Sequence, residues 1–186
     1  MSMIDRWVLG SALAAIAAGA IRLPTGRSLS INVSAQTLAD PTFLEFVVDE
    51  LDRTGVLPAQ ICFEVAETSV HRQHRTGARG SSTSCTAWAA ASRWTTSASD
   101  LGGFANLKQL PMDYLKIDGS FMRDLGRDSV NQAMVSAVVG MARSLNFRLV
   151  AEQIEDAAAL EAARAMGIDF VQGHAIGRPR PLAPAA

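Results

Sequence analysis

An α/β fold built on parallel strands is the class that this 186-residue sequence predicts. Three observations predict it. Short strand-like apolar runs alternate with helical runs, the pattern of parallel strands joined by crossover helices. Each strand carries a polar residue at or near its C-terminal end, where a (β/α) barrel gathers its chemistry. Hydrophobic residues make up 48% and charged residues 19%, which suits one domain with a sizeable core and excludes a disordered chain.

The elements follow in order. "WVLGSALAAIAAGAIRL" predicts a helix over about residues 4–19, rich in Ala, Leu and Ile and stopped at Gly19. Its "AGA" has the look of a signal-peptide cleavage site, but Asp5 precedes the apolar run and the basic flank is thin. The run is also too short to span a bilayer. "LSINVSA" (29–35) alternates as a strand does. "DPTFLEFVVDELDRTG" (40–55) is a helix, with Asp40 as cap, Pro41 at the first position and Gly55 as stop. Phe43, Leu44, Val47, Val48 and Leu51 recur along it at helical spacing. "QICFEVAE" (60–67) and "YLKID" (114–118) are strands. "SVNQAMVSAVVGMARSL" (129–145) is a helix opened by Ser129, with Met134 and Met141 on its core-facing side. "RLVAE" (148–152) is a strand, "DAAALEAARAMG" (156–167) a helix closed by Gly167, and "DFVQG" (169–173) a last short strand.

One stretch breaks the plan. Residues 71–99, "HRQHRTGARGSSTSCTAWAAASRWTTSAS", have no consistent period and few aliphatic side chains. They stand where the alternation demands one more helix and strand. His71 and His74 read as solvated, and Trp88 and Trp94 have no pattern to bury them.

The net charge of -1 argues against a binder of nucleic acid polymers. It leaves room for a small anionic ligand. Cys62 and Cys85 have neither metal spacing nor the density of a disulfide framework, so the reducing cytoplasm is the expected compartment.

The polar residues at the strand ends are Asn32, Glu64, Glu67, Lys116, Asp118, Glu152, Glu155 and Gln172. Carboxylates with an amide oxygen form a hard donor set, suited to Mg²⁺ or Mn²⁺ rather than zinc. A metal that activates water, with a lysine for a phosphate oxygen, can hydrolyse a phosphodiester. Each residue also has an ordinary structural use. Asn32 can bond backbone in a turn, Glu64 and Lys116 can pair across strands, and Glu152, Glu155 and Gln172 can be solvated.

"SINVSAQTLADPTF", "CFEVAET", "FANLKQLPMDYLKIDGSF", "LVAEQIED" and "DFVQGHAIGRP" together resemble the EAL-domain cyclic-di-GMP phosphodiesterases, over roughly residues 4–70 and 100–182. The resemblance implies an incomplete TIM-like (β/α) barrel of the EAL type. It implies a single partial EAL domain over 1–182, residues 71–99 being aberrant, and a tail over 183–186. It also implies hydrolysis of cyclic-di-GMP to the linear dinucleotide with Mg²⁺ or Mn²⁺. By motif, Asn32, Glu64 and Glu152 match metal-site residues and Lys116 the lysine near the attacking water. Glu155 matches the second glutamate of its motif, a ligand-binding position, and Gln172 the active-site glutamine. His174 beside it supports the site. The family also admits a homodimer.

Three departures stand out. Gln153 in "AEQIE" replaces a glycine, which alters a tight backbone approach. The Glu-Ala-Leu segment would lie upstream of the first helix, so this chain is expected to lack it and the first strand. The family's Asp-Asp-Phe-Gly segment should fall on Thr95, Thr96, Ser97 and Ala98, and no carboxylate is there.

The third departure has an explanation at the level of codons. "STSCTAWAAASRWTTSA" (82–98) can be encoded so that reading one base earlier gives I-D-E-L-H-G-M-G-C-R-F-A-L-D-D-F-G. That is a helix, a turn, a strand and the missing motif, with Asp-Asp in register with Thr95 and Thr96. "HRQHRTGAR" (71–79) can give T-A-N-I-E-Q-A-R in the other alternate frame. The expectation is that 71–99 is translated out of frame, with frame restored near Ser99 and Asp100. A domain so altered is expected to bind metal weakly and to turn over poorly. A non-catalytic cyclic-di-GMP or protein-binding module and a non-functional gene fragment are the competing expectations.

Overall fold

The computed structural model describes residues 2–65, 93–98 and 113–181. Glu67, His71, His74, Cys85 and Trp88 lie outside the described residues. The chain divides into two compact units, Met1–Trp94 with Pro181–Ala186, and Thr95–Arg180.

In the first unit, helix α1 (Ser2–Ala17) leads into strand β1 (Leu29–Asn32), the short helix α2 (Ala35–Leu38), helix α3 (Pro41–Thr54), a 3₁₀ turn (Pro58–Gln60) and strand β2 (Ile61–Val65). Strands β1 and β2 pair in parallel, with Leu29 opposite Ile61 and Asn32 opposite Glu64. Helix α1 packs on α3. Leu9 and Leu13 of α1, Phe43 and Val47 of α3, Ile31 of β1, and Ile61, Phe63 and Val65 of β2 are all buried. The Phe43 and Phe63 rings meet edge to face, centroids 6.4 Å apart. Helix α3 is bounded as its sequence predicts. The Asp40 side chain accepts from Thr42 N, Pro41 opens the helix, and Gly55 closes it at φ 68°, a conformation that glycine adopts without steric cost. The apolar stripe is narrower than its spacing suggests, since Val48 is 43% exposed.

Asp5 ties α1 to the turn after β1. Its carboxylate accepts hydrogen bonds from Ser34 N and Thr37 Oγ1. Burial works against the charge, but bonds from Thr37 and Ser34 prevail and hold the carboxyl below its ordinary pKa.

In the second unit, which takes in strand β3 (Arg93–Ala98) from Thr95 onward, β3, β4 (Tyr114–Ile117), β5 (Arg148–Ala151) and β6 (Phe170–Val171) are parallel neighbours in that order. Helices α4 (Gly119–Met122) and α5 (Ser129–Ser144) lie between β4 and β5, and α6 (Ala157–Ala165) between β5 and β6. The core is one cluster that includes Leu115, Ile117, Met122, Val135, Leu149 and Ile154. Met141 packs against it half-buried.

Helix α5 begins at Ser129 as its sequence predicts, capped by Asp128, whose carboxylate accepts from Val130 N and Asn131 N. One expectation needs correction. The patternless stretch does contain a strand: β3 runs beside β4, Thr95 opposite Tyr114 and Thr96 opposite Leu115. Backbone ladders need no side-chain period, which is why propensity alone did not reveal it.

Candidate functional site

In the first unit, Asn32 ends β1 and stands directly opposite Glu64, one residue before the end of β2. Residues in register on parallel strands project to the same face. Both alternate with buried neighbours: Ile31 and Val33 flank Asn32, and Phe63 and Val65 flank Glu64. Asn32 is exposed and Glu64 half-buried. Val33 N donates to Glu64 O at 2.9 Å, which continues the ladder past the end of β1. An amide oxygen and a carboxylate therefore stand side by side at the C-terminal ends of their strands.

In the second unit the central feature is an ion pair. Lys116 Nζ lies 2.6 Å from Glu152 Oε1, the two side chains being 5% and 21% exposed. Lys116 faces Ser97 and Val150 in the strand register. Glu152 follows β5 directly, and its N–H donates to Ile117 O at 3.0 Å, so the backbone ladder sets where its carboxylate begins. An ammonium removed from water needs such a partner to stay charged.

The two loops that follow β5 and β6 are interlocked. Gln172 N donates to Ala151 O at 2.8 Å, Ile154 N donates to Gln172 O at 3.0 Å, and Ala175 N donates to Ile154 O at 3.0 Å. A Cβ on Gly173 would fall 2.7 Å from Ile154 C and closer still to its N and O. Only glycine lets these backbones approach so closely. The exposed Gln172 and the half-buried Glu152 are thus set by one hydrogen-bonded unit. Glu155, exposed, lines a cavity of about 340 Å³ with Gln153, Arg123, Arg127 and Asp156.

Asp118 has a structural task. Its Oδ1 accepts from Ser120 N at 2.8 Å and caps α4. Bonds from the Ser120 side chain and backbone hold its carboxyl below the ordinary range. Sequence reasoning marked the glycine lost at Gln153 but not its conformation: φ is 52°, in the left-handed region. Its partner Gly119 escaped notice because nothing in a lone glycine announces what occupies its missing side chain's place.

The donors are of the type a hard divalent ion takes. Asn32 and Glu64 carry oxygen donors in the first unit, and in the second unit Glu152 bonds Lys116 through one carboxylate oxygen. Among the described residues, no group of three or more His, Cys, Asp or Glu is placed to hold a metal ion. The donors fit such an ion in kind, and among the described residues they do not gather into a set of three.

The sequence matches the EAL domain family over residues 1–179. The chain belongs to the EAL domain family. It is 30% identical to the cyclic di-GMP phosphodiesterase PdeB of Shewanella oneidensis over 83% of its own length and 18% of the relative's. It is 32% identical to the cyclic di-GMP phosphodiesterase PdeF of Escherichia coli, over 97% of this chain and 24% of that one. The chain thus spans about a quarter or less of these relatives. Among solved structures it resembles the PaMucR phosphodiesterase in complex with c-di-GMP, at 29% identity and a TM-score of 0.84, covering 96% of this chain and 72% of that one. It also resembles the EAL domain of Mycobacterium smegmatis DcpA, at 28% identity and a TM-score of 0.81, over 93% and 77%. The α/β fold expected from the sequence is therefore the TIM-like fold of EAL domains. Phosphodiesterases of this family generally depend on a divalent metal ion, and EAL structures hold c-di-GMP. No helix among the described residues is long and apolar enough to cross a membrane.

Proposed function

We propose that this EAL domain binds cyclic-di-GMP and hydrolyses it poorly or not at all. The observation that carries the reading is the pairing of the buried Lys116 with the half-buried Glu152 at the ends of β4 and β5, with Gln172 locked to the same loop. Lys116 supplies a cation for a phosphate oxygen. Gln172 and Glu155, both exposed, supply polar contacts to the ligand. By motif, Asn32, Glu64 and Glu152 match the positions that hold Mg²⁺ or Mn²⁺ in the family. A bound metal would lower the pKa of the attacking water and stabilise charge on the phosphate.

The impairment rests on positions 95 and 96. β3 pairs with β4 through these residues, and they are threonines where the family has two aspartates. Loss of charged ligands weakens a divalent site. We further infer that 71–99 is read out of frame, so that an in-frame gene would place Asp-Asp there. The competing reading of a gene fragment with no role is disfavoured by β3, which forms a ladder even though its sequence lacks a strand pattern.

Calorimetric titration with cyclic-di-GMP in Mg²⁺, followed by chromatography of the nucleotide, tests the reading. Binding without linear product is the expected result. A second chain, carrying the frame-restored 71–99 segment, should bind Mg²⁺ more tightly than this one. Steady turnover by the chain as it stands would refute the impairment, and no binding at high ligand concentration would refute the ligand.

A further inference from the structure

Gln153 stands in a left-handed conformation, φ 52°, that costs most side chains free energy. It also fills a specific space. A Cβ built on Gly119 would lie 2.5 Å from Gln153 Oε1, 2.6 Å from its Cδ and closer still to its Cβ. The Gln153 side chain therefore lies directly across the Gly119 backbone at the start of α4. Gly119 is buried, so the glutamine closes over it. The amide end of Gln153 could swing aside, but that would not relieve the contact with its Cβ. The Cβ of Gln153 is fixed by the turn.

The two positions flank the candidate site in sequence and in space. Gly119 is three residues beyond Lys116, and Gln153 immediately follows Glu152. Gln153 also walls the cavity that Glu155 lines. The turn that carries Glu152, Gln153, Ile154 and Glu155 is held on one side by the bonds that Ile154 N donates to Gln172 O and Ile154 O accepts from Ala175 N. On the other side it is held by the seat at Gly119.

We propose that Gln153 is a positioning residue, whose side chain seated over Gly119 holds Glu152 against Lys116, and that the two positions are coupled, glycine at 119 being the condition for a side chain at 153. The strain at Gln153 is then offset by the contact it makes. The role rests on the reading of Lys116 and Glu152 as the functional pair.

The test uses four variants of the full chain: Q153G, Q153N, G119A and the double variant G119A/Q153G. G119A should lower the thermal midpoint by several degrees, and the double variant should recover at least half of that loss. In Q153G, amide exchange at Glu152 and Ile154 should accelerate by about tenfold, while Leu149 and Val139 keep the parent rate. Q153N, which keeps the Cβ and an amide and tolerates the left-handed region, should return the two amides toward the parent. A double variant no more stable than G119A would overturn the coupling. Unchanged exchange in Q153G, or acceleration spread evenly over all amides, would overturn the positioning role. If G119A does not fold, a folded double variant establishes the coupling, and an unfolded one overturns it. No nucleotide is used, so a failure to bind cyclic-di-GMP would count against the function alone.

Discussion

At the scale of single residues, the site depends on side chains that the sequence marks and on backbone positions that it marks less well. Lys116, Glu152 and Gln172 stand out as polar groups at strand ends, and the structure brings Lys116 and Glu152 into contact. Asp118 stands out in the same way, yet it caps α4. Residue type cannot separate a carboxylate aimed at a ligand from one that accepts a backbone N–H two residues on. Gly173 illustrates the opposite case. As one glycine among many it carries no signal, and its role emerges only from the Ile154 backbone beside it. Replacing it with alanine should separate the loops after β5 and β6. We expect G173A to cost about 2–4 kcal/mol in chemical denaturation and to weaken nucleotide binding beyond what an equally destabilising core variant does. A G173A protein with parent stability would show that the loops can part without cost.

At the scale of elements, helix boundaries were legible wherever their chemistry is local. Asp40 and Gly55 bound α3, and Asp156 opens α6, as their sequence suggests. The short helices α2 and α4 were not legible, because four residues show no period. The Asp40 cap has a pH signature. Bonds from the Thr42 side chain and backbone, then from Arg6, lower its pKa to about 2. A carboxyl depressed by folding stabilises the native state above its unfolded pKa of about 3.9. That contribution is lost as pH falls from about 4 toward 2. D40N keeps a capping oxygen but has no charge to titrate. Its thermal midpoint should therefore fall less steeply than the parent's across that window, as measured by circular dichroism. Parallel curves for the two proteins would mean that the cap's charge adds no stability.

At the scale of the whole molecule, fold class was legible because it depends on alternation, which survives many local substitutions. The 71–99 segment was not, since it lacks both period and aliphatic content. β3 nonetheless takes its place beside β4, because ladder hydrogen bonds are made by the backbone of any residue but proline. Packing has no such indifference. A strand of Arg, Trp, Thr and Ser carries little of the branched apolar volume with which parallel strands fill a core. We expect the frame-restored chain to unfold more cooperatively than this one, with a larger denaturant slope. Equal slopes would show that the segment as written already contributes a native core.

The setting of Lys116 also makes it a chemical reporter. Lys108 and Lys116 are the only lysines in the sequence. Amine-directed reagents must reach the nitrogen, and Lys116 is 5% exposed with its Nζ held 2.6 Å from Glu152. Acylation at Lys116 should lag behind that of exposed amines for as long as the bond to Glu152 lasts. The lag, followed by mass spectrometry of the modified peptide, would time the opening of that bond without any ligand in the tube.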